Sequence, residues 1–155
     1  MNTYVIGDIH GSFKQFIDLL KKINYKQHED KIILVGDLVN RGPESLAVLN
    51  YCMANPNITS VLGNHDLYLL HLMNIRKAEG RLKKVVEAEN SEEIFKWLIK
   101  RPLMLEIFDQ ETDNTFLITH AGIPEIWPPK KAMKLALEVS TLLQDNPDDM
   151  LEKMW

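Results

Sequence analysis

The sequence predicts an α/β fold, because short apolar runs alternate with amphipathic helical segments along the first half of the chain. Three of these runs, at 4–6, 32–35 and 61–62, each lead into a polar segment that contains glycine. Parallel strands joined by helices end at the same edge of a sheet, so the polar residues that follow them should meet there. The sequence therefore predicts both the fold class and the position of a functional site.

Helices are predicted between and after these strands. Ser12 can cap a helix whose apolar residues recur at helical spacing over 13–20. Pro43 is predicted to open a second helix, since proline favours the first helical position. A third helix is predicted over 67–75.

The segment after the third helix is predicted to form a small helical cap. Residues 76–90 are charged and interrupted by glycine, and 91–99 have the pattern of a capped amphipathic helix. The cap is placed at 76–101, as an insertion within a single domain that covers 1–155.

The remaining elements are a hairpin and a helix. Strands are predicted at 104–108 and 115–119, with the turn at 113–114. A last helical region covers 130–143, and a helical pattern is still present where the sequence ends at Trp155.

Four short segments concentrate residues that bind metals or grip phosphate, and each follows an apolar run. They are Gly7-Asp8-Ile9-His10-Gly11, Gly36-Asp37-Leu38-Val39-Asn40-Arg41-Gly42, Gly63-Asn64-His65-Asp66 and Thr119-His120-Ala121-Gly122. One such segment would mean little, because Gly-Asp is a common turn. Four in order at strand ends indicate one metal site.

The residue types predict a site for two metal ions. Two cations can clamp the attacking and leaving oxygens of a phosphoryl displacement if a shared anionic ligand offsets their repulsion. Asp37 is the predicted bridge. Asp8 and His10 lie two residues apart on an extended segment and complete the first site. Asn64 and His120 complete the second, and this nitrogen and oxygen set suits Mn²⁺, Fe²⁺, Co²⁺ or Zn²⁺ better than Ca²⁺.

Three residues are predicted to act on the substrate. A water held between two such ions loses its proton near neutral pH and becomes the nucleophile. The planar fork of Arg41 matches two phosphate oxygens. His65 is predicted to protonate the departing oxygen, a role typically worth about 10²–10⁴-fold in rate. Asn64 is placed with the catalytic residues as well as with the ligands.

With these motifs, the chain resembles the calcineurin-like metallophosphoesterases, and more narrowly the bacterial symmetrical bis(5′-nucleosyl)-tetraphosphatases. The narrower resemblance rests on 36–43, 62–70 and 120–124 followed by Trp127. It implies a four-layer α/β/β/α sandwich, two divalent ions with manganese as the first choice, and hydrolysis of diadenosine tetraphosphate to two ADP.

Position 40 departs from the superfamily pattern, which usually has an aspartate there to orient the acid histidine. Asn40 would stabilise an imidazolium less, so His65 becomes a weaker base and a readier acid, and the sequence does not decide which effect dominates. The aspartate is commonly absent in the tetraphosphatase branch, and Asp66 stands where the protein phosphatases usually carry glutamate. A protein serine/threonine phosphatase is therefore the less favoured alternative.

Length adds a second alternative. A chain of 155 residues fits one domain and can bury about 68–70% of its unfolded surface. The resembled enzymes are longer, and their later half carries a further histidine ligand to the second metal, whereas no histidine follows His120 here. The expectation is an N-terminal portion with an incomplete second metal site and exposed edges through which it self-associates. An inactive metal- or nucleotide-binding fragment fits the same facts.

Composition narrows the partners. The net charge of −4 shows no basic excess, which argues against a polynucleotide substrate. No apolar run approaches the about 20 residues of a membrane span, and the first strand begins almost at Met1. The single cysteine, Cys52, cannot form an intrachain disulfide. A cytoplasmic protein without a membrane partner is predicted.

Two features remain open at this point. Trp127 can stack on an adenine ring or simply fill the fold. A basic segment can meet a polyphosphate chain or form a solvated face, which is the more common case for a charge run. Its residues are Arg76, Lys77, Arg81, Lys83 and Lys84.

Overall fold

The computed structural model describes residues 1–154, and strands and helices alternate in its first half as predicted. The strands are β1 (Thr3–Ile6), β2 (Lys31–Leu34), β3 (Ile58–Ser60), β4 (Met104–Asp109) and β5 (Asn114–Thr119). The α-helices are α1 (Phe13–Lys22), α2 (Ser45–Ala54), α3 (Asn64–Asn74), α4 (Lys83–Val86), α5 (Ser91–Leu98), α6 (Pro129–Asp145) and α7 (Pro147–Met154). A 3₁₀ helix, Gly80–Leu82, precedes α4. None of the described helices has the length and apolar character needed to cross a membrane.

The α/β fold class is confirmed, with two sheets. Strands β1, β2 and β3 form a parallel sheet in that order, with Ile6 opposite Leu34 and Leu34 opposite Ser60. This register brings the carboxyl ends of the three strands to one edge. Strands β4 and β5 form an antiparallel hairpin with Met104 opposite Thr119. Thr119 is the last residue of β5, so His120 follows a strand end as well.

The parallel sheet has a different partner on each face. Ile32 and Leu34 point into the main core, where they join residues of the helices, including Phe16 and Val48. Ile33 points the other way and lines a cavity of about 260 Å³ together with Leu105 and other residues of β2, β3 and β4. The hairpin therefore lies across the sheet from the helix layer.

The segment 76–101 is helical, and its apolar side chains belong to the main core. Leu82, Val85, Ile94 and Leu98 are buried in the same cluster as the inward-facing residues of β2. Helix α5 packs against α2 and α3. The separate status of this segment as an inserted cap remains a prediction.

Two element boundaries differ from the predictions because tertiary contacts redirect the chain. The run at 61–62 lies just beyond β3: the Leu62 N–H leaves the ladder and donates to the carbonyl of Pro102 (2.9 Å). Pro43 does not open α2, which begins two residues later at Ser45. The Gly42 N–H instead donates to the His10 carbonyl (2.6 Å), which keeps this stretch in a loop.

Helix α3 begins earlier than predicted, at Asn64, so Asn64 and His65 lie in its first turn. Asn114, predicted in the turn, is the first residue of β5, while Asp113 has the positive φ (54°) of the turn itself. The helical pattern near the end of the sequence corresponds to α7, and Trp155 lies outside the described residues.

We expect Leu98→Ala to test whether α5 shares the main core. Leu98 is fully buried, whereas Leu137 on α6 is 67% exposed and provides the matched control. The cavity left by Leu98→Ala should lower the free energy of unfolding by about 2–5 kcal/mol. Leu137→Ala should stay within about 0.5 kcal/mol of the parent. Denaturant unfolding followed by circular dichroism measures both.

A single shifted transition for Leu98→Ala would support one core. An early partial loss of helical signal, with the main transition unchanged, would show that 76–101 unfolds as a separate unit.

Candidate metal centre

Asp37 joins three of the four motif segments. It follows β2 with a left-handed backbone (φ 51°), and its carbonyl accepts hydrogen bonds from the N–H groups of Ile9 (3.2 Å) and His10 (2.8 Å). Its side-chain Oδ1 accepts the N–H of His65 (2.9 Å). One buried residue thus holds the loop after β1 and the first turn of α3 in register.

Glycine is required where these segments meet. Gly63 lies directly against Asp37, and a Cβ at this position would collide with the Asp37 carboxylate and backbone nitrogen. Gly36 has φ 90°, and a Cβ there would meet the Gly63 backbone at 2.6–2.9 Å. The glycines of the motifs therefore permit the close approach of β2 and α3.

The rings of His10 and His120 are oriented by backbone carbonyls. His120 Nδ1–H donates to the Val35 carbonyl (2.8 Å), and His10 Nδ1–H donates to the Val39 carbonyl (3.2 Å). Because a carbonyl can only accept, each neutral ring carries its proton on Nδ1 and has its lone pair on Nε2. Metal-binding histidines are commonly oriented in this way.

The two lone pairs face oxygen atoms that also only accept. His10 Nε2 lies 3.5 Å from Asp8 Oδ2 and 3.7 Å from Asp37 Oδ2. His120 Nε2 lies 3.5 Å from Asp37 Oδ2 and 3.2 Å from Asn64 Oδ1. Two acceptors face each other favourably at these distances only with a proton or a cation between them. The structure therefore brings together all five predicted ligands in an arrangement that fits divalent metal.

His65 has the opposite tautomer. The Asn40 side-chain oxygen accepts the Arg41 N–H (2.9 Å), so its Nδ2 group faces His65 and donates to Nδ1 (3.0 Å). The proton of the neutral ring is then on Nε2, 4.0 Å from Asp37 Oδ2. His65 could join His10 and Asp37 in a three-residue cation cluster. Its tautomer instead makes Nε2 a hydrogen-bond donor, and the role of general acid stays a prediction.

Burial lowers the pKa of His65 below its ordinary value, Asp37 opposes this shift, and the neighbouring His10, Arg41 and His120 add to it. At neutral pH the ring is therefore uncharged and presents Nε2–H. Asn40 reinforces this state, because its amide N–H₂ group cannot accept a proton from Nδ1.

Asp66 is the residue that the sequence reasoning missed. Its carboxylate is fully buried and accepts hydrogen bonds from the N–H groups of Leu38 and Gly63 (both 2.9 Å). Burial raises the pKa of Asp66 to about 7, although the two backbone donors oppose the shift. The sequence signal for this role is the position of Asp66 directly after Gly63-Asn64-His65.

Arg41 lies at the exposed rim of the site, again with a left-handed backbone (φ 55°). Its carbonyl accepts a hydrogen bond from the guanidinium of Arg81, a member of the basic segment. The sequence contains no signal for this contact, because 40 residues separate the two arginines.

The surroundings of Trp127 do not decide between adenine stacking and packing within the fold. Its ring is half-buried, and the Lys131 Nζ lies 5.4 Å from the ring centroid. One face of the indole therefore already has a cationic neighbour.

Comparisons with known proteins agree with this geometry. The chain is 41% identical over 161 residues to the symmetrical bis(5′-nucleosyl)-tetraphosphatase of Haemophilus ducreyi, covering 100% of this chain and 58% of that protein. The corresponding protein of a Marinomonas species is 38% identical, with coverage of 100% and 57%. The chain spans about half the length of the curated relatives it matches.

Two solved structures are similar. A crystal structure of a candidate diadenosine tetraphosphatase has a TM-score of 0.69 at 32% identity, covering 83% of this chain and 54% of that one. A Pyrococcus horikoshii OT3 protein has a TM-score of 0.51 at 17% identity, covering 89% of this chain and 66% of that one, and supports the fold alone.

The model of the calcineurin-like phosphoesterase family matches residues 1–154, which contain all four motif segments. Members of such a metallophosphoesterase family use divalent metal ions, in keeping with the facing acceptor groups of the centre. The chain belongs to the calcineurin-like phosphoesterase family.

Proposed function

We propose that the chain carries the metal centre of a hydrolase that cleaves diadenosine tetraphosphate to two ADP. The observation that carries the proposal is the contrast between histidines: His10 and His120 direct lone pairs at Asp37, whereas His65 directs an N–H toward the same carboxylate. His10 and His120 can therefore bind metal, whereas His65 beside them can donate a hydrogen bond. The names and 36–41% identity of the curated relatives support the substrate.

The chemistry of the donors supports two divalent ions, with manganese as the proposed metal. Asp8, His10 and Asp37 would hold the first, and Asp37, Asn64 and His120 the second. When bound, such ions would lower the pKa of a coordinated water enough to supply a hydroxide nucleophile at neutral pH, and they would offset the charge of the phosphate oxygens.

The protein's own groups would act around the phosphate. His65 Nε2–H is available to the oxygen of the departing ADP, and the neighbouring Asn40 amide keeps the ring in this orientation. The Arg41 guanidinium would hold oxygens of the phosphate under attack. Asp37, at 3% exposure, is buried, and its Oδ2 lies 3.5 Å from His120 Nε2 and 3.7 Å from His10 Nε2.

Two alternatives remain distinguishable. A protein serine/threonine phosphatase would turn over a phosphopeptide faster than diadenosine tetraphosphate in a side-by-side assay. An inactive metal- or nucleotide-binding fragment would bind manganese without turnover of either. The second alternative has support from the half-length match to the relatives and from the absence of histidine after His120 in the sequence.

We also propose a cytoplasmic location and self-association. The acidic net charge and single cysteine support the first. For the second, Val5 (48% exposed), Phe108 (60%) and Phe116 (47%) leave apolar surface on β1 and the hairpin.

Titration of metal-free protein with manganese should reveal two unequal sites. The first site has its three predicted protein ligands, whereas the second has one neutral amide and fewer anionic groups, so the first should bind more tightly. Asp8→Asn should abolish the tighter site in isothermal titration calorimetry. Asp18→Asn, which removes an exposed carboxylate on α1, is the control and should change neither. Two equal sites would contradict the assignment.

His65→Asn should slow hydrolysis of diadenosine tetraphosphate by about 10²-fold or more while manganese binding is retained. Hydrolysis of an activated aryl phosphate should fall much less, because its leaving group departs without a proton. The measurement is kcat on both substrates in a form of the protein with turnover, which includes the later half of the relatives if this chain alone is inactive.

His28→Asn is the matched control, since His28 is exposed in a loop. Equal losses on both substrates would assign His65 to phosphate binding, and loss of metal would assign it to the ligand shell.

Self-association should depend on the apolar hairpin surface. Phe116→Lys places a charge on that surface, and it should shift sedimentation toward the monomer and weaken the fluorescence of a hydrophobic dye. Leu142→Lys on α6, at 52% exposure, is the control and should have little effect. A monodisperse, dye-silent parent protein would rule out the proposal.

A further inference from the structure

Arg81 is held beside Arg41 although the two side chains carry the same charge. It belongs to the 3₁₀ helix Gly80–Leu82, which is anchored by the buried Leu82 (2% exposed). From there the guanidinium reaches the carbonyl of Arg41. A hydrogen bond to one carbonyl oxygen uses only part of the five N–H donors of a guanidinium, so the rest of the fork faces outward.

Neither guanidinium is neutralised by a carboxylate within residues 1–154. The neighbouring lysines differ in this respect, because Lys77 pairs with Glu79 (2.8 Å) and Lys83 pairs with Glu87 (3.7 Å). Two lysines of the basic segment thus form ion pairs with neighbouring glutamates. Arg81 instead contacts the loop that follows β2. An anion that contacts both residues would be attracted by two positive charges that no carboxylate of residues 1–154 offsets.

The geometry connects this pair to the metal centre. The Arg41 N–H donates to Asn40, which in turn orients His65. Arg41 is exposed next to Asn40, and Arg81 of the basic segment reaches the Arg41 carbonyl from outside the motif segments. An anion that reaches both must therefore extend away from the metals.

We propose that Arg81 and Arg41 form a binding site for a linear polyphosphate, in which Arg81 binds phosphates that are not attacked. That this polyphosphate belongs to the substrate rests on the proposed function. Planar guanidinium groups suit this task, because each can donate two parallel hydrogen bonds to adjacent phosphate oxygens. Arg81 would thus favour a long phosphate chain over a single phosphate group.

The test is the binding of inorganic tripolyphosphate to metal-free protein in the presence of EDTA, measured by calorimetry. Arg81→Met removes the charge with little loss of volume, and it should weaken tripolyphosphate binding by about tenfold while orthophosphate binding is unchanged. Arg81→Lys should restore part of the affinity. Lys84→Met, which removes an exposed charge from the same segment, is the matched control and should have a much smaller effect.

Each other result overturns the proposal. Equal weakening by Arg81→Met and Lys84→Met would show a general charge effect. Equal weakening for tripolyphosphate and orthophosphate would show that Arg81 only supports the Arg41 loop. No weakening in Arg81→Met would leave no role in anion binding.

The same variants separate this site from the proposed function. Titration with diadenosine tetraphosphate distinguishes a nucleotide from a free polyphosphate, because added affinity over tripolyphosphate indicates recognition of adenosine. If tripolyphosphate binding depends on Arg81 but a form of the protein with phosphatase turnover does not hydrolyse diadenosine tetraphosphate, the proposed function fails and the anion site stands.

Discussion

The metal centre depends on the position of Asp37 between β2 and α3. Its carbonyl accepts hydrogen bonds from the N–H groups of Ile9 and His10, and its Oδ1 accepts one from the N–H of His65. Its Oδ2 faces the proposed histidine ligands. Asp37 thus contacts residues of each of the other three motif segments. Its left-handed backbone is strained for a residue other than glycine, at about 1–3 kcal/mol, and these hydrogen bonds offset that strain.

A second buried carboxylate supports the first. The Asp66 carboxylate accepts hydrogen bonds from the N–H of Leu38, in the loop after β2, and from the N–H of Gly63, directly before α3. Without its oxygens, two buried N–H groups would lose their acceptors, and each unsatisfied group costs about 1–3 kcal/mol. The burial that raises the pKa of Asp66 also strengthens its hydrogen bonds, because little water competes for the donors. Stability and metal binding are therefore coupled through adjacent residues of one motif.

Three histidines converge on one carboxylate, yet their second ring nitrogens give them different chemistry. Carbonyl oxygens of Val35 and Val39 leave lone pairs on His120 and His10, while the amide of Asn40 leaves an N–H on His65. Asn40 thus has a physical consequence: its amide stabilises the neutral donor form of His65. Of the two effects that the sequence left open, the hydrogen-bond pattern and the lowered pKa both favour a less basic His65.

The sequence by itself determined the α/β class, the strand-end location of the site and the residues that converge there, because these follow from local periodicity and from the parallel sheet that such periodicity requires. Boundaries were less predictable: Leu62 leaves its strand for Pro102, and Pro43 lies ahead of α2, since long-range hydrogen bonds outweigh local preference. Only the tertiary structure decided the tautomers of the histidines, the hydrogen bonds to Asp66 and the hydrogen bond from Arg81 to the Arg41 carbonyl. Each depends on a partner distant in sequence, and no local pattern encodes the direction or burial of that partner.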